Sequence, residues 1–459
     1  MRRLLLVCIV FAMAPARLIA GTSAEPGATL PAGRSTAPVA PAGAAEDAHP
    51  ASAWSLDRMI QATVSGNPQV LSKRAACLSA SEGVSGARWK FFPAPYLQLQ
   101  QGNGDLLGSS YKRLEVYGVQ QPIWSGGKLS ATLKAARAVE KSSGLSVQET
   151  RQALAQGVVN VYQNLLAYHN RMRAHESGVR LMEQYAALME RRVNAGVSAP
   201  IDQTQVNARL FQARNDLASS ASSYRVAMEQ MAQLVGAPMK EGEIAFFTQA
   251  GMEPPPAADS ILVRAEQVSP VLARLEADVE TARYQQKIER AALFPTLSLK
   301  AEHRNYLYPN DSAAHENVVY ASLEYSFGSG LSTVAAIRSA SARIDSHVQA
   351  REASLRELRA KVAADAEECS RSLLLYRESA LTSKAAADVL ASYTRLFVAG
   401  KRSWLDVLNA ARELIQSEVA EGDIVAAYWG ARYRLRLHAM DDALIAPEPA
   451  SSPPFASGR

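Results

Sequence analysis

Two short stretches each gather polar and charged residues just after a glycine. In "VAGKRSWLDVLNAARE", residues 398 to 413, Gly400 is followed by Lys401, Arg402, Ser403, Trp404, Asp406 and Asn409. In "NAGVSAPIDQ", residues 194 to 203, Gly196 is followed by Val197, Ser198, Pro200 and Asp202. Glycine reaches the left-handed region at no steric cost, so it stops a helix cheaply. A serine three residues before an aspartate then suits the start of the next helix. The hydroxyl accepts from a free backbone N–H, and the carboxylate meets the positive end of the helix dipole. Pro200 and Asp202 hold similar places in the 194–203 stretch. The chemistry on offer is capping, hydrogen bonding and fixed charge. There is no GxSxG, no Walker glycine loop, no HExxH and no paired-cysteine metal site. His175 has no second histidine four residues away, so a satisfied or pore-side imidazole is expected rather than a metal ligand. No enzyme and no cofactor are expected.

The ends of the chain indicate where such turns would work. Residues 1–24 combine two leading arginines, an apolar run and small residues near "GTSA", the pattern of a secretory signal peptide. Cys8 lies early in that run after Val7, which is not the setting of a lipid anchor. Without the signal the formal charge falls from +5 to about +2, and nothing suggests a nucleic-acid partner. Residues 25–52 and 441–459 are rich in Pro and Ala and are expected to be a disordered linker and tail. For Cys77 and Cys369 two buried thiols are expected, with a disulfide as the alternative in an oxidising compartment. No run of 18 apolar residues follows the signal, so any part entering a membrane must be made of strands.

Between these ends the chain is written twice. Asn67-Pro68 precedes Phe92-Pro93 by 25 residues, and Ser269-Pro270 precedes Phe294-Pro295 by 25. These pairs repeat at an offset of 202, while Ala195-Gly196, Ile201-Asp202 and Tyr224 match Ala399-Gly400, Leu405-Asp406 and Tyr428 at 204. That drift of two residues marks a duplicated unit, residues 53–250 and then 251–440. Each unit predicts a helix ending at the Phe-Pro pair, two strands, a very long helix, a glycine turn and a returning helix. Period-two alternation places strands at about 95–101 and 112–123, and at about 295–304 and 317–327. The polar connections "GNGDLLGSSYK" and "NYLYPNDSAAHE" read as loops. Long hairpins are expected over 128–235 and 332–438. From Leu154 to Val193, eleven of twelve positions spaced alternately four and three are apolar or aromatic, a coiled-coil seam. The second unit repeats the seam less cleanly from Leu355 to Phe397, with Cys369 on it. Each long helix would span roughly 100 Å, too far for one globular core.

Four strands are too few to close a barrel, and lipid leaves no backbone group unpaired, so several chains would have to contribute strands. At this point the residues resemble a family. The signal peptide, the doubled "NP...FP" spacing, the "QPIWSGG" junction and the "AGKRSWLDVLNA" turn are similar to those of the TolC-like outer-membrane factors, over roughly residues 54 to 440. The resemblance implies a mainly α fold with a β membrane part: a homotrimer in which a 12-stranded β-barrel in outer-membrane lipid continues into a 12-helix α-barrel through the periplasm. It implies two further partners, a periplasmic adaptor (membrane fusion protein) and an inner-membrane ABC transporter or proton-driven pump.

Within that resemblance the glycine turns are hairpin tips at the periplasmic end, where the trimer narrows to a gate. The family sets two aspartates three residues apart on one helical face there. The matching positions are Asp406 and Asn409, so one acidic ring is kept and the other is neutral, which weakens any cation preference. Arg402 matches a basic residue that ties neighbouring hairpins in the closed state, with Asp202 as its implied partner. Capping alone accounts for Asp202 and Asp406 equally well. Gly196, Val197 and Ser198 on one tip, and Gly400, Lys401, Ser403 and Trp404 on the other, are where an adaptor would dock. For Trp404, packing against the neighbouring hairpin is the competing role. The implied function is a passive exit duct, and the wording of the second tip resembles the branch serving type I secretion of an adhesin or toxin. A multidrug or metal efflux duct is the alternative. A secreted coiled-coil structural protein is a third reading, but a fibre has no reason to interrupt its helices twice with alternating strands.

Overall fold

A computed structural model describes residues 54–101, 113–308, 312–325 and 332–440. The expected signal peptide, linker and tail, Cys8, the "GNGDLLGSSYK" connection and most of the "FGSGLS" junction lie outside the described residues.

Proline at a first helical turn sets the start of the second helix in each unit. It has no N–H to lose there, and its ring keeps the preceding residue out of the α region. The segment before each Phe-Pro pair therefore breaks in two, where a single helix was expected. The pieces are α1 (Leu56–Gly66) and α2 (Pro68–Trp89), then α5 (Ala258–Val268) and α6 (Pro270–Ala291). Asn67 and Ser269 cap α2 and α6, accepting from the N–H groups of Gln69 and Leu272.

The strands β1 (Ala94–Gln101), β2 (Arg113–Trp124), β3 (Thr296–Leu307) and β4 (Ala313–Glu324) form one antiparallel sheet in the order β1-β2-β3-β4. The central ladder joins the two units, from Arg113 opposite Leu307 to Trp124 opposite Leu297, with an irregularity beside Pro122. β3 and β4 run further toward each other than expected. Much of the stretch read as the loop "NYLYPNDSAAHE" is ladder, with Asn305 opposite His315 and Leu307 opposite Ala313. Polarity made it look like a loop; cross-strand hydrogen bonds make it a strand.

One face of the sheet exposes Leu97, Tyr117, Val119, Leu299, Val319 and Leu323. The register puts Gln98, Gln120, Ser298, Lys300, Glu302, Arg304 and Tyr320 on the other face. There the Tyr96 ring crosses Gly118, where a Cβ would stand 2.3 Å from it. Its hydroxyl donates to Glu302, which also accepts from Tyr320 at 2.6 Å and Arg304 at 2.8 Å.

The long helices α3 (Lys128–Asn194) and α7 (Ser332–Val398) have 67 residues each and return as α4 (Pro200–Val235) and α8 (Trp404–His438). No described helix is long and apolar enough to cross a membrane. The early part of α3 lies on α2 and α6, with Gly144 beside Cys77 and Glu149 paired with Arg274. Further along it lies on α4 and α8 together. Burial there is wider than the expected seam: Ala155, Val159, Tyr162 and Leu166 are buried alongside Leu154, Val158 and Leu165. α1 adds Leu56, Met59 and Ile60 to this core.

Glycines let α3 and α8 approach closely. A Cβ on Gly430, Gly422 or Gly178 would come within 2.1, 2.6 or 2.7 Å of Gln163, Asn170 or Ile415 respectively. Both cysteines are free thiols. Cys369 is buried against α8, as the seam predicts, but Cys77 is half-buried because only one flank of α2 is covered.

Candidate functional site

Both glycine turns fold by one rule. At the end of α3 the Gly196 N–H donates to Val193 O and the Val197 N–H to Arg192 O, with Gly196 at φ 71°. At the end of α7 the Gly400 N–H donates to Phe397 O and the Lys401 N–H to Leu396 O, with Gly400 at φ 72°. These bonds satisfy the last helical carbonyls, and a side chain at either glycine would strain the turn. The restarts differ. α8 uses Ser403, whose hydroxyl accepts from the Asp406 N–H at 3.2 Å, whereas α4 opens with Ala199 and Pro200 and has no side-chain cap.

The residues expected at the gate have these contacts within one chain. The Arg402 guanidinium lies 4.4 Å over the Tyr393 ring, and its Nη1 is 3.5 Å from Asp406 Oδ2. Within the chain these partners, Asp406 and Tyr393, belong to its own hairpin, since Arg402 sits in the turn just before the Ser403 cap. Asp406 is half-exposed; the hydrogen bonds of Ser403 and then the charge of Arg402 hold its carboxyl below the ordinary 3.8. Asn409 is exposed on α8, and Asp202 is half-exposed in the first turn of α4.

Trp404 packs inside the chain. It is 4% exposed, edge-on to Tyr185 of α3 at 5.3 Å and tilted against Phe397 of α7 at 4.9 Å. Its apolar area is satisfied inside the chain, in line with the packing role and leaving little of it for an adaptor. Two further contacts close this clamp. Arg192 lies over Phe397 at 4.8 Å while donating to Ser198 Oγ at 3.1 Å, and Tyr185 and Thr394 share a hydrogen bond of 3.0 Å. The roles of Tyr185 and Arg192 were not read from sequence, since Tyr185 is off the seam and Arg192 looks like a solvated charge. Val197, Ile201, Val398 and Leu405 remain exposed around the tips. Their only sequence signal was being apolar at turn positions that no seam requires.

The tips thus offer a fixed carboxylate, a stacked guanidinium and an apolar rim, with nothing arranged for bond-making. Among the described residues no group of three or more His, Cys, Asp or Glu could hold a metal ion. At the other end, β1 and β4 are open edges of a sheet with one apolar and one polar face.

Comparison with known proteins agrees with this architecture. The model of the outer membrane efflux protein family matches residues 59–237 and 261–437. The cobalt-zinc-cadmium resistance protein CzcC of Cupriavidus metallidurans is 25% identical over 303 residues, 65% of this chain and 70% of that protein. The alkaline protease secretion protein AprF of Pseudomonas aeruginosa is 25% identical over 342 residues, 71% of this chain and 69% of that protein. Among solved structures, the outer membrane protein VceC from Vibrio cholerae superposes with a TM-score of 0.73 at 16% identity, over 84% of this chain and 95% of that one.

Proposed function

The chain belongs to the outer membrane efflux protein family, and on that premise we propose that three copies build the exit duct of a tripartite export system. Membership makes it an outer-membrane channel protein rather than an enzyme or a fibre. The observation that carries the trimer is the open sheet. Within lipid, each unpaired ladder group on β1 or β4 would cost several kcal/mol. β4 of one copy therefore meets β1 of the next, and three sheets close twelve strands with the apolar face outward and the polar face lining water. The α3–α4 and α7–α8 hairpins of three copies supply the twelve-helix tunnel. At its far end Asp406 forms one acidic ring and Asn409 a neutral one, and Arg402 braces Asp406 across from Tyr393. Asp202 on the neighbouring tip adds a second source of negative charge near the mouth. Gly196, Val197, Ser198, Gly400, Lys401 and Ser403 remain as surface for the adaptor.

For cargo, type I protein secretion with an ABC transporter is supported by the "AGKRSWLDVLNA" tip and by similarity to AprF, named for alkaline protease secretion. A gate with a single acidic ring also suits a polypeptide better than a stream of cations. Similarity to CzcC, named for cobalt-zinc-cadmium resistance, favours the second reading, a metal efflux duct with a proton-driven pump.

Purified protein in a planar bilayer is expected to give small discrete conductance steps and, in detergent, a trimer mass; a soluble species without conductance would overturn the duct. Deleting the gene is expected to abolish export of a polypeptide and leave tolerance to cobalt, zinc and cadmium unchanged. Lost metal tolerance with intact protein export would reverse the cargo assignment.

A further inference from the structure

The apolar face of the sheet ends in a polar square. Register sets His303 opposite Asn317 and Asn305 opposite His315, so the two imidazoles occupy a diagonal. Their ring centres are 6.1 Å apart and the rings lie within 14° of parallel. Each Nδ1–H donates to the asparagine across the ladder, His303 to Asn317 Oδ1 at 2.7 Å and His315 to Asn305 Oδ1 at 2.8 Å. Both Nε2 lone pairs are thereby left available, and both histidines are exposed. A histidine that binds a metal through one ring nitrogen usually donates the other N–H to an oxygen, which fixes tautomer and orientation. Here two adjacent imidazoles are held in that state before any ion arrives. With metal–nitrogen distances of about 2.1 Å, one ion shared by two Nε2 atoms places the ring centres about 5 to 6 Å apart. The stacked, near-parallel rings do not yet aim both in-plane lone pairs at one point, so both side chains must turn as the ion binds.

We propose that His303 and His315 form a two-point site for a borderline divalent ion such as Zn²⁺, Ni²⁺ or Cu²⁺, with water completing the coordination. Imidazole suits these ions, whereas Ca²⁺ and Mg²⁺ require oxygen donors. Only the location rests on the barrel reading. Trp89, Phe92, Trp124 and Phe294 expose aromatic surface at the helical end of the strands. The climb from Phe294 to His303 is roughly 23 Å along the axis of a barrel with strands tilted by about 40°. That matches the apolar band of such barrels, about 25 Å tall. With the aromatic residues at the inner interface, the histidines lie at the outer one. They face the external medium and lie outside the bore, so an ion bound there comes from outside rather than from passing cargo.

Zn²⁺ alone titrated calorimetrically into the untagged, detergent-solubilised full chain is expected to show one saturable site per chain. His303→Ala and His315→Ala should each weaken it at least tenfold, and Asn317→Leu should weaken it roughly tenfold by freeing the His303 ring. All three side chains are exposed, and circular dichroism with the detergent mass verifies that each variant is folded and assembled. Absence of saturable binding, or binding unchanged in both histidine variants, overturns the site. Location is tested separately with His315→Cys and a membrane-impermeant maleimide on intact cells. Labelling supports the external placement; no labelling overturns that placement, while the zinc titration still judges the site itself.

Discussion

Asp406 is tuned to stay charged. Its hydrogen bonds from Ser403 and the nearby Arg402 lower its folded pKa, so these interactions are present above the ordinary 3.8 and are lost only as pH falls through the lowered value. On the gate reading, cation preference in a planar bilayer should persist below the pH where an ordinary aspartate titrates. Asp406→Ala should reduce that preference with the trimer intact, and Asn409→Asp should raise it by completing a second ring. Reversal potentials measured from pH 6 down to 3 check all three; a preference indifferent to both substitutions would remove these residues from the gate. The cysteines make a second residue-scale contrast. Burial pushes the Cys369 thiol up to about 11, so near pH 8 it is neutral as well as inaccessible. Maleimide followed by mass spectrometry should modify Cys77 in the folded protein and Cys369 only after denaturation.

The helices owe their pairing to a few sites where side chains were removed or enlarged. Trp404 fastens the two tips of one chain together, so Trp404→Ala should cost about 3–5 kcal/mol in urea unfolding. Its indole N–H is buried with no partner. Trp404→Phe, which keeps the ring packing and drops that donor, should therefore cost clearly less. Gly422→Ala sets helix propensity against space. The methyl gains up to about 1 kcal/mol of propensity, but Asn170 Cβ would stand 2.6 Å away, next to the α3 backbone and unable to swing aside. Overpacking of this kind costs about 1–3 kcal/mol, so net destabilisation is expected, read as a lower thermal midpoint. The heptads over 154–193 were legible because a seam repeats along the chain. The second buried stripe was not, because it exists only where α3 meets α4 and α8 at the same level.

At the scale of the molecule, one polar network ties the two units together near the end of α8. Asp365 on α7 accepts from Arg434 Nε at 2.6 Å and lies 3.0 Å from His438 Nε2, and Arg434 also reaches Gln163 on α3 at 2.7 Å. Burial works to raise the Asp365 carboxyl, but His438 and Arg434 together outweigh it and hold it below its ordinary value. A depressed carboxylate contributes stability that is complete above the unfolded pKa and fades as pH falls through the folded one. Asp365→Asn should therefore lower the thermal midpoint at pH 7 and leave a smaller deficit at the lowest pH where the protein still folds. An equal deficit at both would assign the residue to packing alone.

Much of this architecture was readable from residues in order: the duplication, the four strands, the 67-residue helices and the glycine stops. Each rests on a period or a turn preference that acts over a few residues, and a repeat is visible wherever the same word recurs. Tertiary structure decided the rest. Arg402 chose Asp406 and Tyr393, Trp404 turned inward to Tyr185, β2 paired with β3 across the two units, and Asn305 and His315, two polar residues that read as loop, joined His303 and Asn317 in the histidine-asparagine square. Most of these outcomes depend on side chains brought together from distant turns of the chain, often from opposite units. Packing and cross-strand hydrogen bonds select such partners only after the backbone has folded, so no local pattern along the chain announces them.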